Sequence, residues 1–144
     1  MTIKLYTLDN VFIKELDDYP DNFTGIVEWS DGTKQWYLEG KLHRISGPAV
    51  ECPDGSKSWW VEGKLHRIGG PAVERFDGTK QWYFEGKLHR LGGPAREYSD
   101  GTKFWYFEGK IHRIDGPAVE WANGEKYWWF EGKEVTKQEH KKLV

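Results

Sequence analysis

A turn-forming dipeptide returns every 23 residues along this chain. Gly32, Gly55, Gly78, Gly101 and Gly124 stand at that interval, each behind an acid or amide: Asp31, Asp54, Asp77, Asp100 and Asn123. A fixed period of this kind is the mark of a repeat architecture, in which each unit buries its apolar face against the next. Asp-Gly or Asn-Gly between β-prone runs is a strong hairpin signal, because a type I′ turn needs positive φ at both central residues. A second reversal recurs at Glu39-Gly40, Glu62-Gly63, Glu85-Gly86, Glu108-Gly109 and Glu131-Gly132. Two reversals per unit imply an antiparallel meander of five units.

The segment between the two turns is short and aromatic. In the third copy it is Thr79-Lys80-Gln81-Trp82-Tyr83-Phe84. Alternation along a strand places Trp82 and Phe84 on one face, Gln81 and Tyr83 on the other. The first face, Trp36/Leu38, Trp59/Val61, Trp82/Phe84, Trp105/Phe107 and Trp128/Phe130, is wholly apolar and is expected to form the core. The second carries Tyr37, Trp60, Tyr83, Tyr106 and Trp129 beside polar groups. The return segment, Lys87 to Tyr98, is too long for one regular partner. Gly93-Pro94, repeated as Gly47-Pro48, Gly70-Pro71 and Gly116-Pro117, is expected to break it, since proline brings no N–H to a ladder.

The ends depart from the period, as capping units must. Residues 1–23 are expected to form an amino-terminal cap with strands near Ile3–Thr7 and Val11–Ile13, residues 24–132 the array, and residues 133–144 a carboxy-terminal cap, the whole being one repeat domain. Thr136 and Glu139 have the spacing of a capping box, which predicts a short helix from Lys137 to about Leu143. The predicted class is all-β, with at least ten short strands in a continuous sheet and helix only at the end.

Composition narrows the function. A formal net charge of −2 exerts no overall pull on nucleic acid or an acidic membrane. Cys52 is alone, which excludes an intrachain disulfide, fits a reducing compartment and suggests a small buried side chain. Met1 to Leu8 lacks the apolar core of a signal peptide, and no stretch has the length to span a bilayer, so the cytoplasm is the expected location.

The unit Trp-Tyr-x-x-Gly-Lys-x-His-Arg-x-x-Gly-Pro-Ala occurs closely at 36–49, 59–72, 82–95 and 105–118. It resembles the MORN-like repeats of proteins encoded by tailed phages and large viruses, over roughly residues 24–135. The resemblance implies an elongated, twisted antiparallel β-meander of 23-residue hairpin repeats and a viral origin, with the host cytoplasm as the place of action. True MORN repeats carry His-Gly-x-Gly where this chain carries His-Arg-x-x-Gly-Pro. The phosphoinositide binding proposed for some of them is therefore not carried over.

Three rows of side chains are candidates for function. His43, His66, His89 and His112 recur, but equivalent residues of successive two-strand units lie roughly 9–10 Å apart. One zinc holds nitrogens at about 2.0–2.1 Å, so no metal is expected on this row. Each histidine is expected instead to bond a turn carbonyl or the neighbouring Glu. Arg44, Arg67, Arg90 and Arg113 either pair with Glu51, Glu74, Glu97 and Glu120, seven residues on, or face a partner's acid or phosphate groups. The second-face aromatics either stack on each other or serve as hot spots. No general base is matched to a nucleophile, so neither an enzyme nor a cofactor is expected. The leading expectation is a module that docks on another protein through Tyr37, Trp60, Tyr83, Tyr106, Arg67, Arg90 and Arg113. With the viral resemblance, that partner becomes a host defence protein. The alternatives are a nucleotide or nucleic-acid binder and a structural virion component.

Overall fold

The computed structural model describes residues 2–144 and is built almost wholly of short antiparallel strands. Met1, the first residue of the expected cap, lies outside the described residues. The chain divides into two compact units, one ending at His66 and the other beginning at Arg67.

The first unit holds β1 (Ile3–Tyr6), β2 (Phe12–Leu16), β3 (Gly25–Glu28), β4 (Lys34–Leu38), β5 (Lys41–Leu42), β6 (Val50–Glu51), β7 (Lys57–Ser58), β8 (Trp60–Val61) and β9 (Lys64–Leu65). Its strands pair in the order β2-β1-β3-β4-β6-β7, with β5 on β4 and β8 with β9 as a separate hairpin. The expected capping strands are β1 and β2. Ile3, Leu5, Val27 and Tyr37 form the best-buried apolar cluster, flanked by Tyr19, Phe23 and Trp29.

The second unit holds β10 (Val73–Glu74), β11 (Lys80–Gln81), β12 (Tyr83–Phe84), β13 (Lys87–Leu88), β14 (Arg96–Glu97), β15 (Lys103–Phe104), β16 (Tyr106–Phe107), β17 (Lys110–Ile111), β18 (Val119–Glu120), β19 (Lys126–Phe130), β20 (Lys133–Val135) and α1 (Lys137–Leu143). The ladder runs β10-β11-β14-β15-β18-β19-β20, while β12–β13 and β16–β17 are two-stranded hairpins of their own. Helix α1 begins where the sequence places it, with the Thr136 hydroxyl accepting from the Glu139 amide at 3.0 Å.

The outgoing segment therefore does not remain in one sheet. It breaks at Trp59, Trp82 and Trp105, which lie between two strand pairs. At the break the tryptophan backbone changes partner: the Trp82 amide donates to Ala95 O at 2.8 Å, and Trp82 O accepts from the His89 amide at 3.1 Å. This overturns the expected face assignment, because two-residue strands cannot carry alternation through a break. Trp36 alone of its row is buried, Trp59, Trp82, Trp105 and Trp128 are half-buried, and Leu38, Phe84 and Phe107 are exposed. The fully buried row is instead Ala49, Ala72, Ala95 and Ala118. Directly after each Gly-Pro, the Ala95 and Ala118 amides re-enter the ladder by donating to Phe104 O and Tyr127 O. A fully buried methyl group stands at each of these approaches of backbones.

The type I′ geometry expected at the Asp-Gly turns is found at the other reversal. Glu39, Glu62, Glu85, Glu108 and Glu131 have φ of 48–49° and the glycines after them φ of 78–83°, so the Glu-Gly pairs are the type I′ turns. At the Asp-Gly turns only glycine has positive φ. There Gly32 N donates to Trp29 O and Trp29 N to Thr33 O, a three-residue loop with glycine at the bulge position. The aspartate closes it: Asp31 Oδ1 accepts from the Thr33 amide at 2.8 Å, and Asp54, Asp77, Asp100 and Asn123 repeat the bond.

Candidate interaction site

Each His-Arg-x-x-Gly-Pro-Ala run folds into a clasp around its arginine. The guanidinium carbon of Arg90 lies 3.8 Å from the Trp82 ring centroid, and Arg44 and Arg113 sit likewise at 3.9 Å over Trp36 and Trp105. The same arginines donate through Nη1 to the carbonyl of Pro48, Pro94 or Pro117 at 3.0 Å, as Arg67 does to Pro71. They pair with Glu51, Glu74, Glu97 and Glu120 at 3.0–3.3 Å, the seven-residue pairing that the spacing suggested. Glycine before the proline makes room: a Cβ on Gly93 would stand 2.9 Å from Arg90 Cζ. The arginine substitutes for a second layer, covering an indole that the thin sheet leaves open.

The histidines tie successive hairpins together. His43, His89 and His112 accept through Nδ1 from the amides of Glu62, Glu108 and Glu131 at 2.8–3.0 Å. The bond thus goes to a turn amide rather than a turn carbonyl. It satisfies an N–H held in the unfavourable left-handed conformation. In the first hairpin Thr24 Oγ1 takes this role for Glu39. Imidazoles also alternate with phenyl rings: His89 meets Phe107, and His112 meets Phe130, each at 4.8 Å between centroids. Among the described residues no three histidine, cysteine or carboxylate side chains converge on one point.

Between successive clasps of the second unit the surface is grooved. One groove of about 520 Å³ is lined by Arg67, Ile68, Trp82, Tyr83, Phe84 and Leu91, among others. A neighbouring one of about 460 Å³ is lined by Arg90, Leu91, Tyr106, Phe107, Arg113 and Ile114, among others. Their rims are aliphatic and open to solvent: Ile68 is 83%, Leu91 76% and Ile114 61% exposed. Arg67, Arg90, Arg113, Tyr83 and Tyr106 of the sequence candidates thus meet in two adjacent grooves. Trp60 lies in the first unit, half-buried, its indole N–H donating to Ser58 Oγ at 2.7 Å. Tyr37 is buried in the core cluster, where burial first, and then the Tyr19 hydroxyl, push its phenol pKa up. It has no surface to offer a partner.

Two features escaped the sequence candidates. The exposed aliphatic row, Ile45, Ile68, Leu91 and Ile114, stands directly after each arginine, and its constant register was the available signal. Arg96 was visible only as a departure, for Val50, Val73 and Val119 hold its ladder position in the other units. Cys52 is half-buried rather than buried, and its thiol pKa is raised by burial and then by Asp54 and Asp31.

No helix among the described residues is long and apolar enough to cross a membrane. Comparisons with family models, with curated proteins and with solved structures found no match.

Proposed function

We propose that this protein is a non-enzymatic docking module that binds another protein through the grooved face of its second unit. The observation that carries the reading is the pair of adjacent grooves in which exposed Leu91 and Ile114 stand beside Tyr83, Tyr106, Arg90 and Arg113. Tyrosine and arginine next to open aliphatic groups are the side chains enriched at binding hot spots. The resemblance of the units to phage-encoded repeats supports a host protein as partner, a defence component in the host cytoplasm, which the module would occupy and inhibit.

A nucleic-acid interface fits less well. Each clasp arginine already faces a glutamate, so the row presents no chain of free cations to a phosphate backbone. The test is capture from host lysate at low and high salt, with the wild-type chain and with the double variant Leu91→Ser/Ile114→Ser as baits. Both side chains are exposed, so the variant keeps its fold. Salt-resistant capture of one protein, lost with the double variant, is expected. Capture that the variant leaves unchanged, or salt-sensitive capture of nucleic acid, would overturn the reading.

A further inference from the structure

The third unit breaks the repeat at a position that carries charge. Where the other units place valine, Arg96 stands opposite Gln81 on one side and Phe104 on the other. Residues directly opposite in a ladder share a face. The guanidinium carbon lies 5.6 Å from the Tyr106 ring centroid, and the Tyr83 and Tyr98 side chains are close by. Among the described residues no carboxylate forms an ion pair with this cation, whereas every clasp arginine has one. Its Nε is buried without a hydrogen-bond partner, the single such side-chain atom among the described residues.

A partly desolvated cation without a counter-charge is unfavourable, and chains pair such groups where they can. Here no pairing group stands among the described residues. The arrangement around Arg96 suits an incoming anion. The Tyr83 hydroxyl stands close to the guanidinium, where it can donate its proton to the same anion. The half-buried ring of Tyr106 lowers the local polarity, which strengthens a charge-assisted bond.

We propose that Arg96, with Tyr83, Tyr98 and Tyr106, is the recognition point for a single carboxylate, an aspartate or glutamate side chain presented by the docking partner. This rests on the docking reading and names the chemistry of the partner's anchor. One isolated cation matches one carboxylate. A phosphate chain would need neighbouring free cations, and the clasp arginine of the same unit, Arg90, is held by Glu97 at 3.0 Å.

The test uses the full chain, labelled for observation of arginine and tyrosine side chains by NMR. It is titrated with glutamate blocked at both termini, and with blocked glutamine, at constant ionic strength. Arg96→Val is the control variant, since valine fills this position in the other units and the fold tolerates it. Saturable shifts at Arg96, Tyr83 and Tyr106 with blocked glutamate are expected, absent with blocked glutamine and absent in Arg96→Val. Equal responses to the two probes, or a response surviving in Arg96→Val, would overturn the proposal. So would inorganic phosphate or a short oligothymidylate binding more tightly than blocked glutamate.

The captured protein separates this inference from its premise. Loss of capture in both Arg96→Val and Leu91→Ser/Ile114→Ser supports the anchor. Loss in the latter alone leaves docking standing and sinks the carboxylate anchor. Capture by both variants removes the docking reading and this inference with it.

Discussion

Ala95 has no exposed surface and sits where two backbones approach through its own amide and carbonyl. A larger side chain has nowhere to go, so Ala95→Leu should cost about 1–3 kcal/mol or more in urea unfolding, the range for overpacked cores. Gly93 is constrained differently. It is not among the positive-φ glycines, so the constraint is contact with Arg90 rather than backbone conformation. Gly93→Ala should push Arg90 off Trp82 and cost about 1–3 kcal/mol in lost cation–π and charged hydrogen bonds, with a change in tryptophan fluorescence. The turn aspartates add a pH dependence. Asp31, Asp77 and Asp100 are held below the usual carboxylate range, chiefly by the amides of Thr33, Thr79 and Thr102. A lowered folded-state pKa contributes stability that is full above the unfolded pKa and is lost as pH falls through the folded one. The melting temperature should therefore drop in acid. The drop should be smaller in Asp31→Asn/Asp77→Asn/Asp100→Asn, which copies the amide already present as Asn123. An equal drop would show that these turns do not contribute.

At the scale of the element, the hairpins are marginal alone and are held by their neighbours. In the second unit, Gly109 N donates to Leu88 O and Gly132 N to Ile111 O at 2.8 Å, beside the histidine bonds to the Glu amides. His89→Ala removes one acceptor and two ring contacts, with Phe84 and Phe107, together. A loss of about 1–2 kcal/mol is expected, with faster amide exchange at Glu108 in particular. Glu108 carries the opposite opportunity. Its φ of 48° is unfavourable for a side chain of this kind and tolerable for asparagine. Glu108→Asn should raise stability by a few tenths to about 1 kcal/mol in denaturant unfolding. A destabilised variant would show that the carboxylate matters more than the backbone.

At the scale of the whole molecule, stability should follow nearest-neighbour logic. Deleting residues 79–101 joins Gly78 to Thr102 and so preserves an Asp-Gly turn while removing one period. The shortened chain should keep its β-type circular dichroism and melt at a lower temperature. A wholly unfolded product would show that the array folds only as a complete set. The two ends differ in how much they add. The first unit has Ile3, Leu5, Val27 and Tyr37 packed together, whereas helix α1 buries only His140, whose Nε2 lies 2.7 Å from Arg113 O.

The sequence alone determined the period, the two reversals per unit, the break at Gly-Pro and the closing helix, and it offered arginine–glutamate pairing as one of two readings. All are local, depending on spacing, on turn chemistry or on residues close along the chain. What only the tertiary structure decided was which side chains lie inside. Alternation read along Trp82-Tyr83-Phe84 presumed an unbroken strand, but the backbone changes partners at Trp82, and burial then passes to the small Ala95. The identity of the Asp-Gly turn was legible, but its geometry was not, because a three-residue loop with a glycine bulge and a type I′ turn favour the same dipeptide. The candidate site divided in the same manner. Tyr83, Tyr106 and the arginine row were visible as aromatics and cations at fixed register. Whether a ring in that register is core, like Tyr37, or groove wall, like Tyr83, depends on what packs over it. In a sheet without a second layer, that covering comes from side chains far away in sequence.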